Sequence, residues 1–368
     1  MRLTYVSNLA PTVVSGGFSG MNVAMLRALR SQHEVSYVGP IHPPPFKAEH
    51  LASKLRRAVG RQGKFFFFSP RRLSLISSAV QVALQRGRND ATFFHGFTPW
   101  IAFRCPTPYF AWSDCTFRDY MNVYHQSEQF EIEDLHRITA MEADWLRSAE
   151  KVLFTSQWAL EGAMRDYNLE STKLASVGVP ITQNIPFNDA YTDRRDFAFI
   201  STDFAAKGGL IVAEAIGSVR CTYPEARLIV VGDLPPKHVR KRDGVLCTGF
   251  LHREDLAQQK RWQQIFSTVR ALVHPTRADI APLLFAEAAS FGCPVIASRR
   301  FAIPEMVIDG ETGLLLNDHS VAAVADAMEQ MLGLSDANYS ALRRQARQRA
   351  QTLFTPEQFQ RRVAQALG

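Results

Sequence analysis

Two carboxylates, Asp279 and Glu287, stand with seven residues between them around a strand-to-helix turn in the last third of the chain. The apolar run Ala271-Leu272-Val273-His274 reads as a buried strand that stops at Pro275. The next residues predict a helix from about Leu283 to Phe291, ended by Gly292 with Pro294 just beyond. Asp279 then falls in the loop and Glu287 inside the helix. A helix N-terminus offers unpaired N–H groups and the positive end of a dipole, which together suit a phosphate. Pro282 has no N–H, so Leu283 and Leu284 are the expected donors. Carboxylates accept hydrogen bonds from sugar hydroxyls. A turn carrying both features suits a molecule that is sugar on one side and phosphate on the other, which describes a nucleotide sugar. Without that ligand, the same turn reads as a helix start with an acidic cap.

The stretch resembles the signature of the family 4 glycosyltransferases, retaining enzymes of the GT-B fold. That family has Glu, seven residues, Glu, Ala and a Gly-x-Pro-Val turn. Here Glu287-Ala288 and Gly292-Cys293-Pro294-Val295 match, and Asp279 replaces the first Glu with one methylene less reach. The resemblance implies that Glu287 holds the ribose hydroxyls of the donor and that Asp279 contacts the donor sugar. The family also has Gly-Arg, a short spacer and Lys-Gly, whose cations neutralise the donor diphosphate. Lys207-Gly208 matches the second half, but Thr202 stands at the Arg position, and Arg277 is the candidate replacement. The backbone after Gly249, at Phe250 and Leu251, is expected to face the nucleobase.

The elements that must position these residues alternate strand and helix throughout, which predicts two doubly wound α/β domains. With the resemblance, the expected fold is GT-B: two facing Rossmann-like domains with an inter-domain cleft. The first, over residues 1–185, would bind the acceptor, and the second, over 196–352, the donor. Residues 353–368 would form a helix crossing back to the first domain. An Asn-, Pro- and Asp-rich linker is expected from about Ile181 to Arg195.

In the first half, Leu3 to Val6 reads as a strand, followed by a loop from Asn8 to Gly20 and a helix from about Met21 to Arg30. The resemblance implies that Gly16-Gly17 lines the cleft near the donor phosphate or the acceptor; a turn with no ligand is the alternative. His95 and Asp114 are placed at the carboxyl ends of two strands, where open parallel sheets bind ligands. Either could meet a substrate at the reaction centre. Otherwise backbone satisfies His95, and Asp114 caps a helix. Many family 4 enzymes have a His where this chain has Ser113-Asp114. Some branches instead resemble Asp114-Cys115-Thr116-Phe117 followed by Ser156-Gln157-Trp158-Ala159. Glu131, Glu133, Asp134, Glu142 and Asp144 are expected to lie solvated on a long helix from Glu128 to Arg147.

The net charge is +7. Residues 47–88 hold ten Lys/Arg against the single acid Glu49, beside Phe65-Phe66-Phe67-Phe68. Such a segment suits an anionic lipid surface or a phosphate-rich acceptor, or is a solvated helix face beside a buried strand. No nucleic-acid-binding motif accompanies it, so nucleic acid is not the expected partner. Five scattered cysteines without a Cys-x-x-Cys pair point to neither a disulfide frame nor a zinc site. No apolar window reaches about 18 residues, and the first residues lack a signal-peptide core. The expectation is a cytoplasmic enzyme, peripheral on the inner membrane face if residues 47–88 dock there. It would need no metal and no cofactor besides a co-substrate such as a UDP-sugar or GDP-sugar, and its acceptor would be a glycan or lipid-linked hydroxyl. A nucleotide-sugar epimerase and a non-catalytic binding scaffold of the GT-B fold are the alternatives.

Overall fold

The computed structural model describes residues 1–12, 17–85, 87, 89–181 and 195–368. The chain divides into one unit of Met1–Val179 with Pro356–Gly368, and a second of Pro180–Thr355. Most of the expected linker and Gly16 lie outside the described residues.

The first unit is a six-stranded, all-parallel sheet of β1 (Arg2–Val6), β2 (Glu34–Val38), β3 (Ala91–His95), β4 (Tyr109–Ser113), β5 (Lys151–Phe154) and β6 (Leu174–Ser176), in the order β2-β1-β3-β4-β5-β6. The second repeats the plan with β7 (Phe197–Ser201), β8 (Leu228–Gly232), β9 (Val245–Gly249), β10 (Ala271–His274), β11 (Val295–Ser298) and β12 (Gly313–Leu316), ordered β12-β11-β10-β7-β8-β9. Parallel strands need crossover helices that cover both faces, so inner strands are continuous apolar runs. β3 and β10 are buried along their whole length, whereas the edge strand β2 alternates toward solvent. Strand order reverses direction between β1 and β3, and again between β7 and β10. A crevice at the carboxyl ends of such strands is where doubly wound sheets bind ligands.

The helices of the first unit are α1 (Gly17–Arg30), α2 (Lys47–Ala58), α3 (Pro70–Leu84), α4 (Phe117–Tyr124), α5 (Ile132–Arg147) and α6 (Gln157–Tyr167). Those of the second are α7 (Gly209–Thr222), α8 (Lys237–Arg240), α9 (Leu256–Thr268), α10 (Leu283–Ser290), α11 (Ile303–Met306), α12 (Val321–Leu332) and α13 (Asp336–Arg349). The chain then makes one wide turn over Ala350–Phe354 and enters α14 (Pro356–Leu367). α14 packs on α1, and Arg362 Nε donates to Val177 O at 2.7 Å.

Several expectations need correction. α1 starts at Gly17, so Gly17 and Gly20 belong to the helix and not to the preceding loop. Phe65 to Phe68 form no strand: Phe65 is buried and Phe66–Phe68 are a single 3-10 turn. α5 starts at Ile132, and two of its acids are not solvated. Asp134 accepts from Phe65 N at 2.8 Å and pairs with Arg137. Glu142 is fully buried and accepts from Thr98 Oγ1 at 2.7 Å, Phe117 N at 2.7 Å and Tyr167 Oη at 2.8 Å. These three donors tie α4, α5, α6 and the 3-10 turn Thr98–Trp100 into one block.

Burial raises the Glu142 carboxyl to about 7, the three hydrogen bonds opposing the shift. Its pKa is therefore higher folded than unfolded. Between about pH 4.5 and 7 the native state holds more protons, so this group's contribution to stability falls as pH rises. In Glu142→Gln the amide oxygen can accept from Phe117 N and Tyr167 Oη while the NH₂ donates to Thr98 Oγ1. The variant should thus keep the bonds and lose the titration. The melting temperature of the parent should drop relative to Glu142→Gln between about pH 5 and pH 8. A gap that stays constant across that range contradicts a buried titrating carboxyl.

Candidate functional site

The reversal point of the second sheet brings Lys207 and Asp279 together. Lys207 lies in the turn between β7 and α7, and Asp279 in the loop between β10 and α10. Lys207 Nζ sits 2.7 Å from Asp279 Oδ1 and donates to Ala278 O at 2.6 Å. Both side chains keep about a quarter of their surface open, 22% and 24%. The close approach needs glycine next to the lysine. Gly208 has φ +88°, and a Cβ there would lie 2.9 Å from Pro275 O.

A chain of bonds holds the acidic loop from below. Thr276 is fully buried and its Oγ1 accepts from Ala278 N at 3.2 Å. Ser298 Oγ donates to Thr276 O at 2.5 Å, so it accepts from Nε2–H of His319 at 2.9 Å. Burial, with Arg300 and Arg277 nearby, lowers the pKa of His319. Arg277 itself is exposed and forms no ion pair among the described residues. His274, at the end of β10, is buried with its ring stacked on Phe199 at 5.6 Å, and its Nδ1 has no partner among the described residues.

Helix α10 starts behind Pro282, and neither Leu283 nor Leu284 N–H meets an acceptor among the described residues. Glu287, one turn on, is 3% exposed. Arg253, in the loop after β9, holds it with Nη1 at 2.9 and 3.0 Å from the two carboxylate oxygens. Burial raises the Glu287 carboxyl, and the Arg253 charge opposes that. The guanidinium also lies 4.7 Å from the Trp262 ring centre. Sequence reasoning missed Arg253, because its partner is 34 residues away and no spacing rule joins a loop Arg to a helical Glu. Gly249 ends β9 at φ +72°, and Phe250 beside it is 44% exposed with its ring 5.1 Å from His252. Leu251 is buried.

In the first unit, His95 and Asp114 lie at the carboxyl ends of the paired strands β3 and β4. His95 is fully buried, with its ring 4.5 Å from Trp112 and 4.7 Å from Phe18. Backbone does not satisfy it: neither ring nitrogen has a hydrogen-bond partner among the described residues. Burial lowers its pKa to about 3, so it is neutral at pH 7. Asp114 is not a helix cap. Thr116 caps α4 by accepting from Asp119 N, while Asp114 accepts from Ser113 Oγ at 3.3 Å. Burial raises the Asp114 pKa. Gly17 is exposed, opening α1 at φ +53°.

Residues 194–333 match the family model described as "Glycosyl transferases group 1". The chain is 26% identical over 212 residues to the D-inositol 3-phosphate glycosyltransferase of Corynebacterium glutamicum, covering 50% of this chain and 49% of that protein. It is 29% identical over 136 residues to a GDP-mannose-dependent alpha-(1-6)-phosphatidylinositol monomannoside mannosyltransferase of Mycobacterium tuberculosis, covering 34% and 35%. The chain thus matches about half or less of the length of these curated relatives. The structure of Anabaena HepE in complex with UDP-glucose aligns over 100% of this chain and 99% of its own, with TM-score 0.67 and 16% identity. The fold is a pair of Rossmann-like units of the GT-B type.

Removing one member of a buried ion pair costs about 3–5 kcal/mol, because the other is left uncompensated. Arg253→Met should destabilise the chain by somewhat less, since Glu287 can recover part by taking a proton. That escape weakens as pH rises, so the loss should grow from about pH 5 to pH 8. Adding Glu287→Gln to Arg253→Met should restore most of the stability in urea unfolding. Two strictly additive losses would contradict the pairing.

Proposed function

We propose that this chain is a retaining glycosyltransferase, moving a sugar from a nucleotide-diphosphate donor to an acceptor hydroxyl. The observation that carries this reading is the Lys207–Asp279 pair beside the unfilled N-terminus of α10. A diphosphate would draw Lys207 toward itself as a point charge and accept from Leu283 and Leu284 N–H. The same displacement would release the Asp279 carboxylate to accept from a donor-sugar hydroxyl. Glu287 would hold the ribose hydroxyls, with Arg253 yielding part of its contact. The exposed Phe250 would lie against the base, and Arg277 would supply the charge that Thr202 lacks.

Catalysis on this reading is mainly electrostatic. Lys207 and the helix N-terminus stabilise the leaving diphosphate, while Asp279 and Glu287 orient the donor. No side chain need act as nucleophile. The resemblance implies attack from the front face, with the leaving phosphate oxygen taking the acceptor proton. On the acceptor side, His95 and Asp114 would meet the incoming hydroxyl, with Gly17 at the start of α1. The acceptor would be a glycan or a lipid-linked sugar of cell-surface glycan or glycolipid synthesis, glycosylated in the cytoplasm. The family-model match over the second unit and the relatives' printed activities support this reading.

Thermal unfolding against UDP, GDP, ADP and their sugars should show a rise in midpoint with one nucleotide series. Losing one charge-assisted hydrogen bond costs about 1.5–3 kcal/mol, so Lys207→Ala should bind that nucleotide about ten- to hundredfold more weakly. Glu287→Gln should weaken it as well. Unchanged affinity in both folded variants would overturn the site assignment. Product analysis of the bound donor then separates transfer from epimerisation and from binding without turnover.

A further inference from the structure

Helix α2 is turned inside out. Its polar side packs against the protein: Ser53 is 3% exposed and its Oγ donates to Lys64 O at 2.8 Å. On the same side, the His50 ring stacks on Phe66 at 4.3 Å and Arg57 lies 5.2 Å from the Phe130 ring centre. Arg56 donates to Gln62 O and pairs with Glu131 at 3.0 Å. The apolar side faces water. Leu51, Leu55 and Val59 recur every four residues, one above the other, and are 57%, 58% and 72% exposed. Ala48, Ala52 and Ala58 extend the same face and are also exposed. A helix of a water-soluble domain normally does the reverse, and continuous exposed apolar patches mark interaction sites.

The rim of this face indicates what covers it. Lys47, Lys54, Arg56 and Arg61 are exposed along it, and Lys64 follows. The helix has one acid, Glu49, which is half-buried. The next turn presents Phe67, 40% exposed and 4.5 Å from Phe66. An apolar stripe between cations is the chemistry of a helix lying in the plane of a bilayer surface, with acyl chains against the stripe and anionic headgroups against the rim. At 12 residues α2 is about 18 Å long, too short to span a bilayer. A second copy of the chain fits less well, because pairing the stripes would bring two cationic rims together.

We propose that the outer face of α2 docks this chain on an anionic lipid surface through Leu51, Leu55 and Val59, with Lys47, Lys54 and Arg61 at the headgroups. The docking does not rest on the glycosyl-transfer reading. The basic composition of residues 47–88 raised a lipid surface among several possibilities; the orientation of α2 selects it.

The test is flotation of the full chain with vesicles of phosphatidylcholine alone and of phosphatidylcholine with phosphatidylglycerol. The chain should float with the anionic vesicles, weakly or not at all with the neutral ones, and less at high salt. The triple variant Leu51→Gln, Leu55→Gln, Val59→Gln should lose at least tenfold in vesicle binding. It should keep its melting temperature and its nucleotide-induced shift, since these side chains touch neither core nor donor site. Anionic vesicles should also slow hydrogen exchange of the α2 amides in the parent chain, a readout that needs no variant. Equal flotation of parent and triple variant would overturn the proposal. So would failure of the parent to float together with an α2-dependent dimer in size-exclusion chromatography, which would assign the face to a second copy. Unchanged α2 exchange with bound vesicles would overturn it too.

Discussion

The Lys207–Asp279 ion pair is the contact on which the proposed donor site depends. About a quarter of each side chain meets water, and fully exposed pairs contribute only about 0–1 kcal/mol to stability. Its importance is positional. It joins the turn that opens α7 to the loop that opens α10, at the point where the sheet reverses direction. Lys207 also donates to Ala278 O, and Thr276, Ser298 and His319 fix that loop from the β11 side. On the proposed reading a diphosphate draws the lysine away while this base keeps the carboxylate in place.

The two buried glutamates show how one residue type serves different ends. Glu142 is surrounded by neutral donors, and burial holds its carboxyl near 7. Nothing charged offsets the cost of ionising it, which is the mark of a structural tie between α4, α5 and α6. Glu287 faces a guanidinium that offsets part of the same cost. A buried carboxyl paired with a guanidinium is a more expensive arrangement than an apolar residue, and often marks function. The difference lies in partners supplied by distant segments and not in either helix.

That distinction also sets what could be read from the sequence. The strands of both sheets were legible because parallel strands buried on both faces become apolar runs, as in Ala271 to His274 and Leu228 to Gly232. The α10 region was legible because Pro282, Gly292 and Pro294 punctuate it. Glu142 was misread although a signal existed: Ile138 and Leu146 lie four residues to either side, and Trp145 three beyond, so Glu142 shares their buried face. Counting charges along α5 hid that phase. Arg253 carried no such signal, since loop geometry decides its reach. The α2 segment was not legible as a helix with a stripe, and the spacing of Leu51, Leu55 and Val59 does not give the direction such a stripe faces. An apolar stripe points inward by default, and here the polar contacts of Ser53, His50 and Arg57 turn it outward.

Buried groups without partners among the described residues occur at the reversal point of each sheet, as they do elsewhere in the chain. In the first unit, both nitrogens of His95 and the indole Nε1 of Trp112 lie buried without partners among the described residues. In the second, the same holds for His274 Nδ1, and the leading N–H groups of α10 are open. A buried polar group left unmatched costs about 1–3 kcal/mol, and such groups are few in folded proteins. Had these residues served packing alone, apolar side chains of similar volume would have filled the space at lower cost. Strand order gives each sheet a crevice there. His95, Trp112 and His274 are enclosed beneath those places, at 0%, 0% and 3% exposure. His95, neutral at pH 7 because burial lowers its pKa to about 3, can act as donor or acceptor without bringing a charge.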